Sequence, residues 1–212
     1  MALKWSCFLS FRGGTGSLAR DIVNEFARAL TNELGVQTDA GLYRYNDEMV
    51  GGDLIDPSIA EELRQSACLV ALFTGNYFSK ARSYCAREYL AMTRLEKQRL
   101  KNLAKGRPTT KGLIVPVILR NPDRFPPALK TRFMFDFTGF GQNASGLELP
   151  REFFKDVRKI AEYAANRHFE LDPIVRDNEK LVFPNDKDVQ KFLATLDVSL
   201  AGRNAPARRA RR

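Results

Sequence analysis

One histidine, His168, in 212 residues leaves the chain nearly without the side chain that most often serves as general base or metal ligand. Serine–histidine and cysteine–histidine hydrolases and histidine-bearing metal centres are therefore poor fits, and His168 reads as a surface or helix-end residue. The three cysteines, Cys7, Cys68 and Cys85, form no C-x-x-C pair. Their odd number, with no secretory pattern in Met1–Trp5, points to a reduced, cytoplasmic compartment. No apolar run reaches the roughly 18–20 residues that cross a bilayer, so no membrane partner is expected. A G-x-x-x-x-G-K-[ST] loop is missing too, which removes support for nucleoside triphosphate hydrolysis. No internal repeat is visible.

At 44% hydrophobic and 28% charged, the composition is that of an ordinary globular domain with a sizeable core. The net charge of +9 is partly local, because Arg203, Arg208, Arg209, Arg211 and Arg212 crowd the end of the chain. Residues 201–212 read as a basic, disordered, solvated tail. No aromatic residue interleaves with these arginines, so base stacking is unsupported and nucleic acid is an unlikely partner.

Apolar strand-like runs alternate with helix-period segments. Trp5–Phe11 reads as a strand, Leu18–Leu34 as a helix stopped by Gly35, and Leu42–Tyr45 as a short strand. A polar loop, Asn46–Asp53, precedes a helix over Pro57–Ser66 with Asp56 as its cap. Cys68–Phe73 is a strand and Cys85–Leu100 a helix, followed by a loop over 101–111. Leu113–Leu119 is a strand in which Pro116 suggests an edge, a bulge or an early end. Phe133–Phe137 is a short aromatic strand whose rings alternate between core and edge, and Pro150 opens a helix with Phe153, Phe154, Val157, Ile160 and Ala161 on one side. This order predicts an α/β fold with a parallel sheet and right-handed crossovers placing helices on both faces. Ligand loops then belong at the carboxyl ends of the strands, where Ser10–Gly16, Asn46–Asp53 and Gly75–Glu88 converge. The rhythm breaks after about residue 166, so 167–200, with a helix-like Asp188–Leu200, reads as a small extension packed on the domain.

Ser83-Tyr84-Cys85-Ala86-Arg87-Glu88 carries the most chemical information. The aromatic at 84 and the carboxylate at 88 share one face of a helix, which suits a flat base and ribose hydroxyls. A solvated glutamate beside a packing tyrosine is the plainer reading of the same residues. This stretch resembles the W-C-x-x-E box of Toll/interleukin-1 receptor (TIR) domains, with Tyr84 in place of Trp. Phe8-Leu9-Ser10-Phe11-Arg12 resembles the first-strand box, Tyr45–Leu54 the long loop after the second strand, and Leu69–Thr74 with Asn76-Tyr77-Phe78 the third strand and its continuation. Order and spacing agree over Lys4–Arg167. The resemblance implies a flavodoxin-like TIR fold over 1–166, with a central parallel five-stranded sheet.

It also implies an activity. In enzymatic members of the family the glutamate cleaves NAD+, so Glu88 is the expected catalytic residue. Ser10, Phe11, Arg12, Asp47, Leu54, Tyr77 and Tyr84 are expected to border the substrate. NAD+ enters as substrate, with no cofactor and no metal. Leu54 stands where several enzymatic members have an aromatic. Cleavage of the nicotinamide–ribose bond resembles glycoside cleavage, with a carboxylate facing an oxocarbenium-like centre, and a covalent role for that carboxylate stays open. Water attack gives ADP-ribose, and internal attack gives a cyclic ADP-ribose isomer, a product that a downstream effector would sense. Self-association through TIR–TIR contacts and a role in bacterial antiphage immunity are further implications. Two rivals remain. A non-enzymatic TIR adaptor or virulence module would use the loop 46–55 for partner contacts. A Rossmann-type oxidoreductase would use Gly14-Thr15-Gly16-Ser17-Leu18-Ala19, which fits G-x-G-x-x-A, with Asp39 about 20 residues on. Cys85, with no basic partner nearby in sequence, reads as a buried packing thiol.

Overall fold

The computed structural model describes residues 3–12, 17–45, 54–79, 83–103, 109–122, 125–141, 149–176 and 179–201. Five strands form one all-parallel sheet: β1 (Trp5–Phe11), β2 (Leu42–Tyr43), β3 (Ser66–Phe73), β4 (Ile114–Ile118) and β5 (Phe135–Asp136), in the order β2-β1-β3-β4-β5. This is the doubly wound order, with its switch point beside β1. Among the described residues the α-helices are α1 (Ser17–Gln37), α2 (Ile55–Arg64), α3 (Tyr84–Leu103), α4 (Arg151–Leu171) and α5 (Asp186–Ala201). β3 is buried at every position, as expected for a strand covered on both faces. Ser10 of β1 meets Glu88 of α3. α2 packs on α3 and α1 on α4, so α2 and α3 cover that face of the sheet and α1 and α4 the other.

Several element boundaries differ from the sequence reading. Gly35 does not stop α1, which runs on to Gln37; the space where a side chain would sit at Gly35 is open. α2 starts at Ile55 with Leu54 as its cap residue, so Asp56 lies in the first turn, and Ser66 belongs to β3. Pro116 lies in the interior of β4, with neighbours on both sides. Odd-numbered residues of β4 bond β3, as in Leu119 N–H to the Phe73 carbonyl, while even ones face β5, as in Phe137 N–H to the Ile118 carbonyl. The proline nitrogen therefore faces β5, whose pairing begins only at Val117 with Phe135, and no ladder bond is lost. Phe133 lies outside β5 and is 82% exposed, so only Phe137 of that trio is fully in the core. His168 is buried near the end of α4 instead of lying on the surface. The tail 202–212 and the turn 13–16 lie outside the described residues.

α4 continues unbroken through residue 166 to Leu171. The chain then returns along α3, burying Val175, Val189, Leu193 and Leu196. A buried ion pair anchors this return: Arg99 Nη2 to Glu179 Oε2 at 2.6 Å, with side chains 0% and 5% exposed. Arg99 also donates to the carbonyls of Ser66 (2.6 Å) and Arg64, so its remaining donors are met by backbone. Glu179→Ala is expected to lower unfolding free energy by about 3–5 kcal/mol, because it strands a buried guanidinium. Asp156→Ala, which breaks an exposed pair with Lys159, is expected to cost under about 1 kcal/mol. Urea denaturation of both variants checks the contrast.

Candidate functional site

The carboxyl ends of β1 and β3 and the start of α3 meet around Glu88. Ser10 is the sixth residue of β1, in register with Ala71 of β3, and its side chain turns toward α3. Glu88 lies one turn into α3 and is 6% exposed. The Ser10 hydroxyl donates to Glu88 Oε2 at 2.5 Å, and the Tyr77 hydroxyl lies 2.5 Å from the same Ser10 oxygen. With Glu88 ionised, Ser10 spends its one proton on the carboxylate, so Tyr77 must donate to Ser10. Among the described residues no hydrogen bond reaches Glu88 Oε1. One carboxylate oxygen is thus fixed by a two-hydroxyl relay and the other is uncommitted.

Burial pushes the Glu88 carboxyl up to about 7, against the pull of the Ser10 hydrogen bond. Burial also raises the Tyr77 phenol well above its usual range, with Cys85 and Glu88 adding to the effect. The Cys85 thiol is raised well above its usual value by burial and by Glu88, with Ser10 and Arg12 opposing. Cys85 therefore stays a thiol rather than a thiolate nucleophile, although it stands closer to the site than its sequence context suggests.

The other expected residues divide by position. Arg12 donates from Nη1 to the Asn76 carbonyl at 2.6 Å, which links the end of β1 to the loop after β3 at the exposed rim. The Phe11 ring is covered by the Arg44 guanidinium, 5.2 Å from the ring centre. Tyr77 is 1% exposed and forms the wall behind Ser10. Tyr84 is the first residue of α3 and is 40% exposed. Its ring lies 5.4 Å from the Arg87 guanidinium, and burial and then the neighbouring Asp56 raise its phenol. The shared helix face of Tyr84 and Glu88 thus divides, with the ring on the rim and the carboxyl turned inward. Leu54 is 72% exposed at the cap of α2. Asp47, with the rest of 46–53, lies outside the described residues.

Sequence reading passed over Arg87, whose Nη1 donates to Asp56 Oδ2 at 2.7 Å. It has no local sequence signal, since its role depends on contacts across elements. Asp39 precedes β2, at the opposite end of the sheet from this site, and so misses the position a Rossmann ribose contact requires. Among the described residues no group of three His, Cys, Asp or Glu is placed to hold a metal, and no helix is long and apolar enough to cross a membrane.

The raised carboxyl has a consequence for stability. The folded protein holds the Glu88 proton up to about 7, whereas the unfolded chain releases it near 4.3. Between those values the folded state binds more protons, so stability falls as pH rises. This contribution is complete below the lower value and is lost through about 7, amounting to about 4 kcal/mol. Glu88→Gln should remove that slope, gaining on the parent as pH rises from 4 to 8. Denaturant midpoints across this range check it, and parallel profiles would contradict it.

A protein-family model described as TIR domain matches residues 8–149. The structure titled for the activated Roq1 resistosome directly recognizing the pathogen effector XopQ, in its TIR domains, is similar over 89% of this chain and 97% of that one. Its sequence identity is 17% and its TM-score 0.39. No curated protein matches the sequence. The matched span runs from β1 past β5, and with the boxes ordered along a parallel β2-β1-β3-β4-β5 sheet, the chain belongs to the TIR domain family.

Proposed function

We propose that this protein cleaves NAD+ at the nicotinamide–ribose bond, with Glu88 facing the charge that develops at ribose C1′. The observation that carries the reading is the buried Glu88 carboxyl at the sheet's carboxyl end. One of its oxygens is held by Ser10 and Tyr77, and the other has no hydrogen bond from a described residue. Nicotinamide departs with the bonding electron pair, which neutralises its ring charge, so no general acid is needed. The positive centre left on the ribose calls for an ionised carboxylate close by, and a site with little water strengthens that interaction. Water then adds to C1′ and loses a proton to give ADP-ribose; attack from within the same molecule gives a cyclic ADP-ribose isomer.

Ser10 and Tyr77 orient the carboxylate. Arg12, Phe11, Tyr84, Leu54 and Asp47 are the proposed borders of the substrate. NAD+ serves as substrate, with no separate cofactor or metal. Self-association of TIR domains belongs to the same proposal, and Leu54 (72% exposed) and Ile55 (43% exposed) offer an adjacent apolar surface beside the rim. That surface also suits the alternative of a non-enzymatic interaction module. A cytoplasmic role in antiphage immune signalling, with an effector that senses a cyclic product, is proposed by analogy with the family.

Glu88→Ala should reduce nicotinamide release from NAD+ by about 10²–10³-fold at unchanged fold. In the parent, kcat/KM should rise with pH through about 7 and then level, because the ionised form of Glu88 is the active one. Chromatography of the products from concentrated protein checks both expectations. Release that survives in the variant would transfer the chemistry elsewhere.

A further inference from the structure

The segment after α4 lies beyond the residues matched by the family model, yet it is tied to α3, the helix that carries Glu88, along most of its length. Arg87 Nη2 donates to Asp186 in the first turn of α5. Arg94 donates to the Val182 carbonyl and to Asp188 Oδ2, each at 2.8 Å. Arg99 reaches Glu179 at 2.6 Å. Glu179, Val182 and Asp186 meet Arg99, Arg94 and Arg87 in reverse order, so the stretch 179–186 lies antiparallel along α3, and Asp188 in the first turn of α5 comes back to Arg94.

One of these contacts, and a ring contact from α5, bear on Glu88 itself. Arg87, its chain neighbour, is pinched between Asp186 of α5 and Asp56 of α2, with Tyr84 against its guanidinium. Phe192 of α5 stacks on Tyr89, the other neighbour of Glu88, at 5.9 Å and 15° between planes. The same ring meets Phe78 edge-on at 5.4 Å. Phe78 follows Tyr77, the residue whose hydroxyl meets Ser10. One aromatic ring from the extension therefore closes against two of the three segments that set the Glu88–Ser10–Tyr77 relay, α3 and the loop after β3.

We infer that the segment after α4 is a positioning brace for Glu88, acting through Phe192 on Tyr89 and Phe78 and through Asp186 on Arg87. Neither Phe192 nor Asp186 touches substrate; they fix the first two turns of α3 against β1 and the loop after β3. The catalytic part of this inference rests on the NAD+-cleaving reading, whereas its structural part does not.

The test combines steady-state nicotinamide release with amide hydrogen exchange over residues 84–92, in Phe192→Ala, Phe192→Tyr and Asp186→Asn. In Phe192→Ala kcat should fall by about 10–100-fold, with KM within about twofold of the parent and faster exchange over 84–92. Phe192→Tyr, which keeps the stacked ring, should restore both. Asp186→Asn should move both in the same direction by less; this side chain is 76% exposed, so the fold survives the change even where Phe192→Ala unfolds. Unchanged exchange over 84–92 in the variants, or faster exchange with parental kcat, would overturn the brace. If the unsubstituted protein releases no nicotinamide, the NAD+ reading fails and the exchange result alone decides the brace.

Discussion

A carboxylate taken out of water must either be met by donors or surrender its charge, and the environment of Glu88 does some of each. Ser10 supplies one donor, Tyr77 backs it, and burial draws the proton affinity up to about 7. That state needs three parts of the chain at fixed spacing. β1 presents Ser10 on the face covered by α3, the loop after β3 places Tyr77 behind it, and α3 lowers Glu88 onto the pair. The parallel pairing of β1 with β3 at the centre of the sheet sets the first two distances. The packing of α3 sets the third.

α3 itself is held from outside. Its arginines pair with acids from α2 and from the segment after α4, and the most buried of these ties, Arg99 to Glu179, is almost wholly out of water. Buried ion pairs are poor sources of net stability, but they are intolerant of misplacement, because either partner left alone is costly. Such a pair along the back of the glutamate helix specifies its position more than it strengthens the fold. The aromatic contacts of Phe192 add shape at the end of α3 nearest the site.

Much of this was legible in the sequence. Strand and helix periods gave the alternation that a doubly wound sheet requires, and the ordered boxes around Phe8–Arg12, Leu69–Phe78 and Ser83–Glu88 placed Ser10, Tyr77 and Glu88 near one another. Boundaries failed where local rules lost to packing. Gly35 costs little in the exposed last turn of α1, so that helix runs past it, and Pro116 sits in an inner strand because its nitrogen faces a gap before β5. The role of Arg87 was hidden because its partners are 31 and 99 residues away. Burial of His168 was hidden likewise, since a helix-end histidine carries no local mark of the surface it packs against. The inward turn of Glu88, with Tyr84 left on the rim, follows from side-chain direction at the first turn of a helix, which residue spacing alone does not convey.

The proposed chemistry turns on the state of one carboxyl group, and a carbon-13 NMR titration of Glu88, free and with a non-cleavable NAD+ analogue, measures it directly. A midpoint near 7 in the free protein, falling when the cationic nicotinamide ring binds, is the predicted result, because a positive charge nearby favours the carboxylate. An ordinary glutamate midpoint that ignores the analogue would contradict both the buried relay and its role toward NAD+.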